Sequence, residues 1–305
     1  MSFKITYPNY SNKAISFSIY DGNLKYDCPF LDILRPHGIL GTFNLSPRRD
    51  EPSKIEGIAE IYRGYGIANH VAYHPRAFLD GVEYDISDDP FDPDTADPGK
   101  VYRSPKYDGI YLDKRPLGWR HIVPAAKYIE CIKESREILE EVFEREISGF
   151  VWPFGYQNSA IITDYLYKNT SYVRRTGCTH SDGDFAPPES FYEWRCTANQ
   201  TSLLEDAALF EACEGEGLKL FTFGVHSVDY ERYDGFESLT AFAERYGDRS
   251  SDFWYASIED IFDYITATRR LEIGDGYIQN NSDSPIYLII DDERVELPPS
   301  AMTGI

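Results

Sequence analysis

Positive charge is in short supply in this chain, where 30 Lys and Arg stand against 51 Asp and Glu for a net charge of −21. Such a surface repels phosphate backbones and anionic lipid, so nucleic-acid and membrane partners are not expected. It suits neutral or cationic ligands and divalent metals, and it equally suits plain solubility. Cysteine is sparse as well: Cys28, Cys131, Cys178, Cys196 and Cys213 are odd in number and include no C-x-x-C pair. That excludes a zinc ribbon or dithiol redox motif and predicts buried free thiols in a reducing compartment. No run reaches the ~18 apolar residues of a membrane helix. The opening MSFKITYPNYSNK has no apolar stretch after a basic start, so no signal peptide is read there and a cytoplasmic location is expected. The sequons at Asn9, Asn44, Asn169, Asn199 and Asn280 then carry little meaning. No internal repeat is found.

What the chain does have is length and rings. Its 305 residues allow one large α/β domain or two smaller ones, and its 24 Tyr, 18 Phe and 4 Trp serve a large core or the stacking of sugar rings. Ala14 to Tyr20 alternates as a strand and ends at Asp21-Gly22. Residues 24–37 read as a helix with Gly38 as its C-cap, and Ile39 to Leu45 as a second strand. A short helix over 56–63 and a strand over 66–73 follow. Residues 121–146 carry the longest helical stripe, through Ala126, Ile129, Ile132, Ile138, Leu139 and Val142. Beyond it strands at 149–153, 171–176, 218–225 and 253–256 alternate with helices near 158–168, 202–215, 236–246 and 258–269. Strands alternating with helices predict a parallel α/β sheet or barrel. Two segments interrupt the series. Residues 82–119 are rich in Asp and Pro and read as a long acidic loop, a lid or a solvated insertion without EF-hand spacing. The tail 271–305 reads as a small β appendage to a domain spanning 1–270.

The sharpest local feature is Asn69-His70-Val71-Ala72-Tyr73-His74-Pro75. Two histidines four apart converge on one metal if the chain curves between them, and a carboxylate would complete a three-ligand set with an open position. Asp21, beyond the C-terminal end of the first strand, lies where such barrels place their sites, although an Asp before Gly22 is also an ordinary turn residue.

The order of these pieces resembles the polysaccharide deacetylases, the NodB-homology domains of carbohydrate esterase family four. Ile15 to Gly22 (ISFSIYDG) is similar to the opening strand that ends Asp-Asp-Gly in that family. Leu31 to Leu34, Gly38-Ile39 and Gly41 to Leu45 follow at the family's distances. Tyr62 to His70 with His74-Pro75 resembles the metal-histidine motif. Phe150 to Gly155 (FVWPFG) resembles the segment that walls the substrate groove, and Leu220 to Asp229 (LFTFGVHSVD) the one bearing a general-acid histidine. Phe253 to Ser257 is similar to the closing element. The resemblance runs collinearly over residues 13–270 and into the tail.

It implies a distorted (β/α) barrel with a divalent metal, most simply zinc, on Asp21, His70 and His74. His226 is implied as general acid, and Trp152, Pro153 and Phe154 as groove wall. The implied reaction is hydrolysis of an acetyl group from N- or O-acetylated carbohydrate: the metal polarises the carbonyl, a carboxylate acts as base on water, and the histidine protonates the departing group. The sequence departs from the pattern at four places. The base position is Tyr20, a phenol of ordinary pKa about 10. Tyr65-Gly66 replaces His-Glu before the metal histidines, Val151 stands where many members have an Arg, and Gly224-Val225 replaces Trp-Gly. A lost base costs 10²–10⁴-fold. Asp182, Asp184 and Asp229 are carboxylates that could substitute for it, whereas His37, His121 and His180 have no motif context. Three readings follow: a slow metal-dependent deacetylase, a catalytically inactive relative that binds glycan or metal, and an intracellular cyclic amide or ureide hydrolase.

Overall fold

A computed structural model of the chain describes residues 2–179 and 185–305. Its residues form two compact units, one of Met1–Phe43, Tyr62–Gly66 and Gly177–Ile305, the other of Asn44–Ile61 and Ile67–Thr176.

The largest sheet is α/β in character. Its hydrogen-bonded order is Trp194–Cys196, Tyr172–Cys178, Gly149–Val151, Gly66–Asn69, Gly41–Leu45, Lys13–Asp21, Lys219–His226, with Trp254–Tyr255 also paired to Lys13–Asp21. Helices follow most of these strands in sequence, and the pairings Lys13–Asp21 with Lys219–His226 and Gly149–Val151 with Tyr172–Cys178 are parallel. The two end strands of that order are linked by a parallel bridge between Ala198 and Phe223, beside Gly224 N–H donating to Ala198 O at 3.0 Å. This is the strand arrangement of a distorted (β/α) barrel.

Residues 14–20 of the strand Lys13–Asp21 are all buried, the expected state of a parallel strand covered on both faces. Phe17 packs against Phe223, Phe242 and Phe30 with ring centroids 4.9, 5.4 and 6.1 Å apart. The register sets Ile15 opposite Phe221, Phe17 opposite Phe223 and Tyr20 opposite His226. A one-residue slip would turn every one of these side chains to the other face. The helix Leu24–Leu34 continues as a 3-10 turn Arg35–His37 and stops at Gly38, whose φ of 65° suits a residue without Cβ. The helix Ile258–Thr268 starts from a capping box in which Ser257 and Asp260 each satisfy the other's backbone N–H.

The second unit differs from the sequence expectation in two ways. Its long helix spans Ala125–Phe143 rather than starting at 121. Residues 118–123 are a strand, and Pro124, which has no N–H to give to a helix, sits at the N-cap. Nor is 82–119 a loop throughout: Tyr102–Arg103, Tyr111–Arg115 and Gly118–Val123 join Arg76–Ala77 in a four-stranded sheet. Tyr111–Arg115 and Gly118–Val123 form a tight hairpin closed at Pro116-Leu117, with Gly118 at φ 111°. The Asp-rich part remains irregular, with Asp92 accepting from Asp94 N–H and from Thr95 Oγ1. In the tail, Leu271–Gly274, Tyr277–Asn280 and Met302–Gly304 form one three-stranded sheet, and Ile286–Ile290 and Glu293–Leu297 form another with Phe3–Thr6. Ile278, Ile286, Leu288 and Leu297 cluster with Ala267 as their core.

All five cysteines are free, but only Cys131 and Cys196 are buried; Cys28, Cys178 and Cys213 are partly exposed. No helix among the described residues is long and apolar enough to cross a membrane.

Candidate functional site

The strand Gly66–Asn69 ends just before His70, and the chain then curls rather than continuing to 73. Val71, Tyr73 and His74 all have positive φ, at 65°, 65° and 47°. A β-branched residue in that region is a genuine outlier, and such strain concentrates where geometry serves a ligand. Asn69 holds the curl: its Oδ1 accepts from Val71 N–H at 2.8 Å and its Nδ2 donates to Ile132 O at 2.8 Å.

The curl brings the two imidazoles together, with Nε2 of His74 3.1 Å from Nε2 of His70. His70 Nδ1 lies 2.9 Å from Val151 O, an acceptor only, so Nδ1 is the donor there and Nε2 is the nitrogen turned to His74. Two nitrogens at 2.0–2.1 Å from a tetrahedral zinc would be separated by about 3.3 Å, so the pair is spaced as two ligands of one ion. A backbone carbonyl that fixes the tautomer of one ligand is a common companion of such sites.

In the first unit the neighbouring strand ends bring Tyr20, Asp21 and His226 together. His226 Nδ1 is 3.0 Å from Asp229 Oδ2 and its Nε2 is 3.8 Å from Asp21 Oδ2. Desolvation pulls the His226 pKa down, but the Asp229 hydrogen bond and the charges of Asp21 and Asp229 outweigh it, and the net shift is upward. Asp229 therefore orients the imidazole and favours its charged form. It is the histidine's hydrogen-bond partner.

Tyr20 is buried, 7% exposed, with its ring 5.2 Å from that of His226 and its hydroxyl 3.5 Å from Cys196 Sγ. A Cβ at Gly224 would lie 2.2 Å from Cys196 Sγ and 2.7 Å from Tyr20 Oη. The phenol and the thiol together thus require glycine at 224, the position at which the resembling family carries Trp. Two of the departures from the family pattern, Tyr20 and Gly224, are one packing solution.

Of the expected groove residues, Trp152 is buried at 1% exposure and packs on Phe150 and Tyr128, and Pro153 is buried too. Phe154, at φ 57°, is 45% exposed and stands edge-on to His74 with centroids 4.6 Å apart. Tyr156, also exposed, offers a second ring that the sequence reading did not single out. Two arginines were likewise passed over. Arg174 is fully buried on the strand Tyr172–Cys178, in register with Val151. A pair of arginines inside an apolar strand pattern (YVRRTGC) was the available signal. Arg76 follows the His74-Pro75 step directly and borders Phe154.

The histidines without motif context have structural partners. His37 Nδ1 meets Asp248 Oδ2 at 2.9 Å and His121 Nδ1 meets Tyr73 O at 2.9 Å. His180, Asp182 and Asp184 lie outside the described residues.

No protein-family profile matches the chain, and no curated protein matches it. Solved structures do. Peptidoglycan deacetylase PdaC from Bacillus subtilis is 12% identical at a TM-score of 0.46, with 84% of this chain and 93% of that one covered. Polysaccharide deacetylase Bc1974 from Bacillus cereus is 11% identical at a TM-score of 0.42, covering 80% and 91%. BA3943, a CE4 family pseudoenzyme from Bacillus anthracis, is 11% identical at a TM-score of 0.43, covering 82% and 65%. The chain is thus similar in structure to CE4 polysaccharide deacetylases, active and inactive alike.

Proposed function

We propose that the chain is a divergent polysaccharide deacetylase that holds a divalent metal, most simply zinc, on Asp21, His70 and His74 and removes acetyl groups from N- or O-acetylated carbohydrate. The observation that carries the reading is the donor set. Nε2 of His70 and Nε2 of His74 lie 3.1 Å apart, and Asp21 ends the strand Lys13–Asp21. Two imidazoles and one carboxylate are the donor set of catalytic zinc, with a position left open.

A metal there would polarise the acyl carbonyl and lower the pKa of water. The chain's own residues supply the rest. His226, held by Asp229 on Nδ1, keeps Nε2 for delivering a proton to the departing amine or alcohol. Phe154 and Tyr156 are exposed aromatic rings against which a sugar could pack. Tyr20 contributes no base: its hydroxyl is turned to Cys196. Turnover is accordingly expected to be slow. Release of acetate from N-acetylated chito-oligosaccharide by the zinc-supplemented protein, abolished by chelation and restored by zinc, tests the reading. Absence of acetate despite bound sugar would instead favour a glycan-binding protein without turnover, the reading that the sealed Tyr20–Cys196–Gly224 packing supports.

A further inference from the structure

Arg76 stands two residues beyond His74, at the start of the short strand Arg76–Ala77, which pairs in parallel with Gly118–Val123. The next amide, Ala77 N–H, donates to Gln157 Oε1, and Gln157 Nε2 donates to Pro153 O at 3.0 Å. Gln157 is itself buried at 4% exposure, so this clamp fixes Arg76 against the 152–157 segment. The Arg76 guanidinium lies 5.9 Å from the Phe154 ring centroid, and Phe154 touches His74. One ring therefore separates a guanidinium from a candidate metal ligand.

This guanidinium is unusually placed for so acidic a chain. Among the described residues none of its five donors meets an acceptor; its recorded interactions are the Phe154 face and the fields of neighbouring charges. The carboxylate nearest in charge, Asp113, is engaged by Arg115. Partial burial, then the like charge of Arg115, lower the pKa of Arg76 against the opposing fields of Asp113 and Tyr84. A second cation, Arg175, sits 4.3 Å from the centroid of Tyr156, the other exposed ring. With 51 acidic residues available, a partly desolvated arginine without a carboxylate partner is a cost that a ligand can offset.

We propose that Arg76 receives a carboxylate carried by the acylated sugar, so that the site takes acidic acetylated sugars in preference to neutral ones. The planar fork of arginine matches a carboxylate with two parallel hydrogen bonds, a geometry that lysine cannot reproduce. Phe154 and Tyr156 would meet the ring while Arg76 meets the charge. This rests on the carbohydrate reading above and narrows its substrate class. Two kinds of sugar acid present the required group: a uronic acid, with the carboxylate on the ring carbon chain, and a lactyl ether, with it on a side arm.

Calorimetric titration of the zinc-supplemented full chain separates these cases. The probes are di-N-acetylchitobiose as the neutral sugar, an N-acetylglucosamine–glucuronic acid disaccharide, and an N-acetylglucosamine–N-acetylmuramic acid disaccharide. Wild type is expected to bind at least one acidic probe about tenfold more tightly than the neutral one, and which acidic probe wins identifies the source of the carboxylate. Arg76→Met should bring that ratio close to one, and Arg76→Lys should keep only part of it; melting curves confirm that both variants fold. Equal binding of acidic and neutral probes by wild type, or a preference that survives Arg76→Met, overturns the proposal and leaves the carbohydrate reading standing. Binding of none of the three probes overturns both.

Discussion

Asp27 gives the fold a built-in pH dependence whose size follows from its surroundings. The residue lies on the helix Leu24–Leu34 with no exposed surface, and its carboxylate accepts from Tyr62 Oη at 2.6 Å and Ser227 Oγ at 2.5 Å. Burial pushes its pKa up from 3.8 to about 6, against the two hydrogen bonds, which pull it down. A carboxyl whose folded pKa exceeds its unfolded value binds more protons when folded. Its stabilising effect is therefore complete below about pH 4 and is lost as pH rises through the window to about 6. Two units at 1.36 kcal/mol each make the whole effect about 3 kcal/mol, of which about 1 kcal/mol falls between pH 5 and 7. Asp27→Asn removes the titration. The amide still accepts from one hydroxyl but faces the other with an N–H group, a pH-independent cost of about 1 kcal/mol or more. Urea unfolding of both proteins from pH 5 to 7.5 is the assay. Wild type should lose about 1 kcal/mol relative to the variant across that range, a difference of about 2 °C in melting temperature for a chain of this size. Parallel stability curves would refute the assigned burial of this carboxylate.

Two substitutions at the neighbouring strand ends bear on chemistry. Tyr20→Asp restores the carboxylate expected of the resembling family; acetate release should rise by 10-fold or more, while loss of the buried ring lowers stability by about 3 kcal/mol. A variant that folds, binds zinc and is slower than wild type would show that some other group is the base. His226→Ala should depress kcat on amide substrates by 10²–10⁴-fold and leave hydrolysis of an activated aryl acetate much less affected, since a phenolate leaves without a proton. Equal losses on both substrates would mean that His226 serves the fold and not the leaving group.

How much of this was legible in the sequence depends on the range of the interaction involved. Strands and helices of the central sheet were readable because Ile15, Phe17 and Ile19, or Leu239, Phe242, Ala243 and Tyr246, carry their own periodicity and are buried accordingly. The hairpin at 111–123 was missed because Asp, Lys, Arg and Gly dilute its alternation, and its pairing is decided by contacts with Arg76–Ala77. The curl after Asn69 was missed for a different reason: Val71 favours strand locally, and the hydrogen bonds of Asn69 and of Ala72 N–H to Cys131 O override that preference. Among candidate site residues, His70 and His74 were visible as a spacing. The coupling of Tyr20 to Gly224 and Cys196 was not, because Tyr20 is about 200 positions from both in sequence and meets them only through strand pairing. The burial of Trp152 and the exposure of Tyr156 were hidden likewise, since a ring's side of a wall is set by the φ of its turn.

Zinc content, measured by elemental analysis after dialysis against the free ion, tests the central claim most directly. Wild type should retain about one zinc per chain, and His70→Ala and His74→Ala, each shown by circular dichroism to be folded, should retain little or none. Equal zinc in all three proteins, or none in wild type at micromolar free zinc, would contradict the account.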